Sequence, residues 1–302
     1  MARRDDAPWK PSNLAKAARL GEWAERITHP IAKRTYRQGF PYLPPTVPLG
    51  MDVPHKPAKL GADYETSWAR KAPAKFVRRG IVNGPMRLVV KGITSPKVYG
   101  TDRLSDLSRL DDPPPLIFTP NHHSHLDTAV MVITIPEPWR SKLVVAAAAD
   151  YFFDKRWKAM MASLSLNAIP IDREVTGRKS SEMIKELIDD GWSLMIYPEG
   201  GRSPDGWGQD FKGGAAYLSA RTGAAVVPVF IDGTGALFGK GMKRPKLGTT
   251  KVVFGQPLRA LDEENTRRFS ARIEAAVSEL GDESLTDYWT ARQRSARKEN
   301  TK

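Results

Sequence analysis

Leu116-Ile-Phe-Thr-Pro-Asn-His-His-Ser-His-Leu-Asp127 is the stretch on which the reading of this chain turns. Its first five residues carry no charge and end at Pro120, so they read as a buried strand. The rest of the stretch is mostly polar and holds three of the chain's five histidines. A rigid strand feeding a polar loop is a common way for a sheet protein to present reactive side chains.

Working outward, short apolar runs recur at 143–148, 168–171, 193–197, 225–231 and 251–254. Between and after them, residues 155–164, 180–190, 214–221 and 262–280 carry apolar side chains at helical spacing. That alternation predicts an α/β fold, a mixed and largely buried β-sheet flanked by helices, with its core over 91–285. No internal repeat is visible.

The residues before 91 differ. Leu14, Ala17, Ala18, Leu20, Trp23, Ala24 and Ile27 recur at near-helical spacing behind a possible cap at Ser12. Six prolines between Pro41 and Pro57 make 41–60 an extended connector. Beyond it, Trp68, Phe76, Val77, Ile81, Met86 and Leu88 are interleaved with Arg70, Lys71, Lys75, Arg78, Arg79, Arg87 and Lys91. This mix suits a lipid interface and equally suits a helix packed on the core with a solvated basic face; Pro73 and Gly80 interrupt its periodicity. Residues 1–90 are therefore expected to be a helical, basic, membrane-facing extension, and 286–302 a basic polar tail.

The charge agrees with this division. The 302 residues hold 47 Lys+Arg against 34 Asp+Glu, a net of +13. Residues 1–80 alone hold 16 basic and 7 acidic side chains, a net of +9. Such an excess points to polyanions: nucleic acid, an anionic membrane surface or a phosphorylated substrate. Cysteine is absent, which excludes disulfides, Cys-ligated zinc and a Cys nucleophile. The apolar runs fall short of the roughly 20 residues a membrane span demands, and no signal peptide is evident. The expected location is cytoplasmic, peripheral on the inner face of the membrane.

The histidine loop admits two chemistries. His123-Ser-His125-Leu-Asp127 resembles the first metal motif of the metallo-β-lactamase superfamily, but such a site needs further histidines downstream, and none follows His125. No metal is expected. The other pattern is Asn121-His122-x-Ser124-x-x-Asp127, followed by Asn167-Ala-Ile-Pro-Ile-Asp172-Arg173, Tyr197-Pro-Glu-Gly-Gly-Arg202-Ser203, Phe211-Lys212-x-Gly214 and Val227-Pro228-Val229. In this order the segments resemble the four motifs of the glycerolipid acyltransferases, the lysophosphatidic acid / glycerol-3-phosphate acyltransferase family, with Phe211-Lys212-x-Gly214 matching a segment common after the third motif. The resemblance covers about residues 97–257, and two positions depart from the family pattern. Asn167 stands where Gly is usual, and Asn tolerates positive φ. Gly201 stands where Thr is usual, which removes a hydroxyl.

The resemblance implies transfer of a fatty acyl group from acyl-CoA, or acyl carrier protein, to the free hydroxyl of 1-acyl-sn-glycerol-3-phosphate, giving phosphatidic acid in phospholipid biosynthesis. Glycerol-3-phosphate or another lysophospholipid is the alternative acceptor. His122 would be the general base and Asp127 its orienter, with Asn121 and Ser124 supporting the motif. Arg173, Glu199, Gly200, Arg202, Ser203 and Lys212 would bind the acceptor. Guanidinium forks suit a phosphomonoester. Glu199 would accept from a glycerol hydroxyl or position an arginine. No cofactor is expected beyond the acyl carrier. No Gly-x-Ser-x-Gly elbow marks Ser124 as a nucleophile. His125 and Asp172 read as structural, and Val227-Pro228-Val229 as a core strand. The rival class, a non-catalytic basic protein on anionic lipid or nucleic acid, has the charge in its favour, but no DNA- or RNA-binding signature accompanies it.

Overall fold

The computed structural model describes residues 64–171, 178–202, 209–239 and 241–285. The expected first helix, the 41–60 connector and the 286–302 tail lie outside the described residues, as do Asp172, Arg173 and Ser203.

The chain enters through two helices, α1 (Ala72–Ile81) and α2 (Arg87–Thr94). Pro73 does not interrupt α1: it sits in the first turn, where a missing N–H costs nothing. The break falls later, at Val82–Met86, where Gly84 is non-helical and Pro85 follows it. The short edge strand β1 (Lys97–Tyr99) and helix α3 (Ser105–Ser108) lead to β2 (Leu116–Pro120). The order then runs α4 (Asp127–Thr134), β3 (Leu143–Ala148), α5 (Ala149–Phe152), α6 (Arg156–Leu166), β4 (Ala168–Ile171), α7 (Arg178–Asp189) and β5 (Ser193–Met195). It closes with α8 (Gly214–Thr222), β6 (Ala225–Asp232), α9 (Thr234–Phe238), β7 (Lys251–Phe254) and α10 (Thr266–Leu285).

The seven strands form one sheet in the order β1-β7-β6-β2-β5-β3-β4. β6, β2, β5, β3 and β4 are mutually parallel. β7 runs antiparallel to β6, and β1 pairs parallel with β7, so the sheet is mixed as expected. Successive residues of a strand point to opposite faces. Leu116 and Phe118 therefore join Met131, Val145, Met195, Val227 and Phe254 in one core. Ile117 joins Val144, Ile169, Leu194 and Val226 in the other, under Ile184, Ile188, Phe269 and Ile273. Both faces are covered, which is why the strands read as continuous apolar runs.

Three details differ from the expectation. β1 is three exposed residues with no apolar run to reveal it. α10 starts at Thr266 and not at 262, because the Asn265 side chain caps it by accepting the Arg268 N–H at 2.9 Å. It also continues past 280, since a bare Gly281 lets it lie against Phe230; a Cβ there would come within 3.1 Å of that ring.

Candidate active site

The loop after β2 is tied down from three sides. The Asn121 amide donates to the Ile231 carbonyl at 3.0 Å and accepts the Ile231 N–H at 2.6 Å, which locks the loop to the end of β6. The Ser124 hydroxyl donates to the Phe238 carbonyl at 2.7 Å and accepts the Leu126 N–H at 3.1 Å. Ser124 is fully buried and fully engaged, and it caps no helix: α4 begins at Asp127 without a side-chain cap.

Asp127 is the third anchor. Its Oδ2 accepts the N–H groups of His123 and Ser124, both at 2.7 Å, and stands 3.0 Å from His122 Nδ1. The carboxylate is entirely buried. One carboxylate oxygen thus shapes the turn and grips the imidazole. An ionised carboxylate only accepts, so it assigns the His122 proton to Nδ1 and leaves the Nε2 lone pair free. The ring is held flat as well: it stacks on Tyr197 with centroids 3.9 Å apart and planes 18° from parallel. The Tyr197 hydroxyl is anchored to Thr128 Oγ1 at 2.9 Å. Burial and the Asp127 charge hold the Tyr197 phenol well above its usual 10, so it stays neutral under the imidazole.

Glu199 takes a place other than the one expected. It is 2% exposed; its Oε1 accepts the His122 N–H at 2.8 Å and its Oε2 accepts the Gln209 N–H at 3.3 Å. Neither oxygen meets an arginine among the described residues, and Glu199 does not line the cavity below the motif loops. It braces the histidine from behind. Burial pushes its carboxyl above the ordinary value, and the two N–H groups pull back against that shift.

The remaining polar groups stand around a cavity of about 1120 Å³ at the carboxyl ends of the parallel strands. His122, Gly200, Arg202 and Lys212 border it, and Val145, Ala147, Leu166, Ile171, Ile184 and Leu218 make much of its apolar wall. Arg202 donates to His125 Nε2 at 2.6 Å. Burial lowers the His125 pKa first, and the Arg202 charge lowers it further, so the ring stays a neutral acceptor. His125 thus holds Arg202 and is more than a filler. Lys212 folds across Gly200, where the backbone has φ of 71° and a Cβ would meet Nζ at 2.7 Å. The left-handed turn favours glycine there, and any side chain would push Lys212 aside. Gly201 faces open space, so the hydroxyl missing there leaves no collapsed wall.

The structure thus brings together Asn121, His122, Ser124, Asp127, Glu199, Gly200, Arg202 and Lys212; Arg173 and Ser203 lie outside the described residues. His123 lies beside Asn121 with its Nε2 buried and unpaired, and burial lowers its pKa. Two roles were missed. The Tyr197 stack and the Glu199 brace both cross from the end of β5 to the histidine loop, and their only sequence signal was membership of Tyr197-Pro-Glu-Gly-Gly-Arg202. Among the described residues, no group of three or more His, Asp or Glu is placed to hold a metal ion.

Part of the chain is similar to known proteins. Residues 96–232 match the family model described as Acyltransferase. The chloroplastic 1-acyl-sn-glycerol-3-phosphate acyltransferase of Arabidopsis thaliana is 29% identical over 148 residues, 48% of this chain and 39% of the relative. Its counterpart from Brassica napus is 28% identical over 162 residues, 51% of this chain and 45% of the relative. The chain therefore spans less than half the length of these curated relatives. The crystal structure of the 1-acyl-sn-glycerophosphate acyltransferase of Thermotoga maritima superposes with a TM-score of 0.50 at 23% identity, over 68% of this chain and 81% of that one. It shares the fold, a sheet flanked by helices. Motif order and family match thus fall on the same stretch, and residues 96–232 of this chain are similar to the acyltransferase family.

Proposed function

We propose that the protein transfers a fatty acyl group from acyl-CoA to the free hydroxyl of 1-acyl-sn-glycerol-3-phosphate, releasing CoA and phosphatidic acid. The observation that carries this reading is His122, oriented by a buried Asp127, at the border of a large apolar cavity that Arg202 and Lys212 also border. Similarity to plant 1-acyl-sn-glycerol-3-phosphate acyltransferases supports the acceptor.

An alcohol is a poor nucleophile toward a thioester at neutral pH. His122 Nε2 takes the hydroxyl proton as the oxygen attacks the thioester carbon. Such a positioned base is worth about 10²–10⁴-fold. A C–O bond forms, the C–S bond breaks, and the imidazolium returns the proton to the departing thiolate. Asp127 stabilises the imidazolium and keeps its Nδ1 proton in place. The apolar cavity takes the acyl chain, and Arg202 with Lys212 faces the acceptor phosphate. The chain works from the cytoplasmic side of a membrane; among the described residues no helix is long and apolar enough to cross one.

The test is purified protein with acyl-CoA and 1-acyl-sn-glycerol-3-phosphate, followed by CoA release. His122→Ala is expected to lower kcat by about 10²–10⁴-fold. Undiminished turnover in that variant sinks the mechanism. Saturation by acyl-acyl carrier protein with no response to acyl-CoA would change the donor.

A further inference from the structure

A second cavity, of about 430 Å³, opens at the other end of the parallel sheet, beside Leu143 where β3 begins. Its lining includes five cations, Lys75, Arg78 and Arg79 from α1 with Arg140 and Lys142 ahead of β3, and one carboxylate, Glu137. Glu137 is already committed to Arg140 at 3.0 Å. Arg78 is the telling member. It is only 9% exposed, and its guanidinium donates to the Ala69 carbonyl at 2.8 Å. Burial, and then the repulsion of another cation, Arg70, pull its pKa down to about 10. Lys75 Nζ lies 4.8 Å over the Trp192 ring, and Lys75, Arg78, Arg79 and Lys142 pair with no carboxylate among the described residues. A guanidinium taken out of water needs an anion beside it.

We infer that this cavity is a docking site for the phosphate of an anionic phospholipid headgroup. The neighbouring surface decides for lipid as the source of that phosphate. Phe76, on the cavity rim, is 81% exposed, and Trp157, Met160 and Met161 stand exposed along α6, the helix on which α1 packs. Aromatic and thioether side chains set beside cations match the polar–apolar boundary of a bilayer. α6 then runs into Ser165 and Leu166, which line this cavity, and Leu166 also lines the larger one. Headgroup capture thus seats the membrane one side chain away from the apolar cavity. This refines the membrane-facing part of the proposed function, but its readout is vesicle binding, so it stands or falls apart from acyl transfer.

The experiment uses the full chain with phosphatidylcholine vesicles, with and without phosphatidylglycerol, read by flotation. Wild type is expected on the anionic vesicles only. Lys75→Gln with Lys142→Gln is expected to lower that partition about 25-fold, near fivefold per cation. Arg267→Gln with Arg268→Gln, on the exposed start of α10, removes the same charge and is expected to change partition less than about twofold. Arg78→Met should repeat the first result; should it not fold, the two rim variants still decide. Equal losses in both pairs would mean diffuse surface charge and overturn the site, as would no loss in either. Inorganic phosphate is the last arm. It is expected to release the protein from vesicles where chloride of equal ionic strength does not, because both anions would occupy one site. Phosphate binding that is lost in Lys75→Gln with Lys142→Gln, while vesicle partition stays unchanged, would assign the cavity to a free anion and overturn the lipid source.

Discussion

At the scale of single residues, the active centre rests on one carboxylate oxygen with three duties. Asp127 Oδ2 holds the His123 N–H, the Ser124 N–H and His122 Nδ1. His122 has no comparable structural burden. We therefore expect His122→Ala to remove turnover with little change in Tm. Asp127→Ala should lose turnover and also about 3–5 kcal/mol of stability, from buried N–H groups left unpaired and a turn left unsupported. Thermal unfolding of the two variants side by side checks this; equal Tm losses would refute the division. Glu199 allows a second distinction. Glu199→Gln keeps an acceptor for one backbone N–H and sets its NH₂ against the other. As a brace of His122 it should lower kcat by about 10-fold or more and leave the KM for the acceptor nearly unchanged. A rise in KM at constant kcat would restore it to the acceptor site. The histidine and aspartate were legible in the sequence because their roles are set within one loop. The brace and the Tyr197 stack were not, because 77 and 75 residues separate Glu199 and Tyr197 from His122 and only the fold joins them.

At the scale of elements, what was legible followed burial. β3, β4 and β7 fall where their apolar runs end, because both faces of those strands are covered. β1 stayed hidden, since an exposed edge strand needs no apolar pattern. α1 was obscured by Pro73, which reads as a breaker but serves as a first-turn residue. The junction from α6 to β4 shows how a single departure is absorbed. Asn167 sits in the left-handed region, φ 52°, ψ 40°, and closes α6. Its side-chain amide also donates to the Leu143 carbonyl at 2.7 Å, tying β4 to the start of β3. Asn therefore does two things where glycine would do one. Asn167→Ala is expected to cost about 2–3 kcal/mol, from left-handed strain and the lost hydrogen bond. Asn167→Gly relieves the strain and should cost about 1 kcal/mol. Urea unfolding that ranks wild type above Gly above Ala bears this out; an Ala variant as stable as Gly would deny the strain.

At the scale of the whole molecule, the histidines near the active centre couple stability to pH. Burial holds both His123 and His125 below the ordinary 6.5. Below pH 6.5 the unfolded chain therefore takes up protons at these positions before the folded one does. The unfolded state binds more protons there, so stability rises with pH through this window and falls on acidification. Glu199 works the other way: its raised pKa means the fold favours the protonated carboxyl, a contribution lost as pH rises through that value and restored in acid. The histidines act first on lowering pH from neutral, so Tm is expected to fall between about pH 7 and 5. His123→Asn should flatten that fall, because the buried Nε2 that refuses a proton is gone. Acid should also loosen the second pair: a protonated His125 can no longer accept from Arg202, and the two cations repel. Acceptor KM should then change with pH in wild type and hold steadier in His125→Gln, whose amide oxygen can accept from Arg202 at any pH. Scanning calorimetry across the window tests the first half and a KM–pH profile the second. A Tm that is flat or rises on acidification, unchanged by His123→Asn, would show that burial does not control these rings.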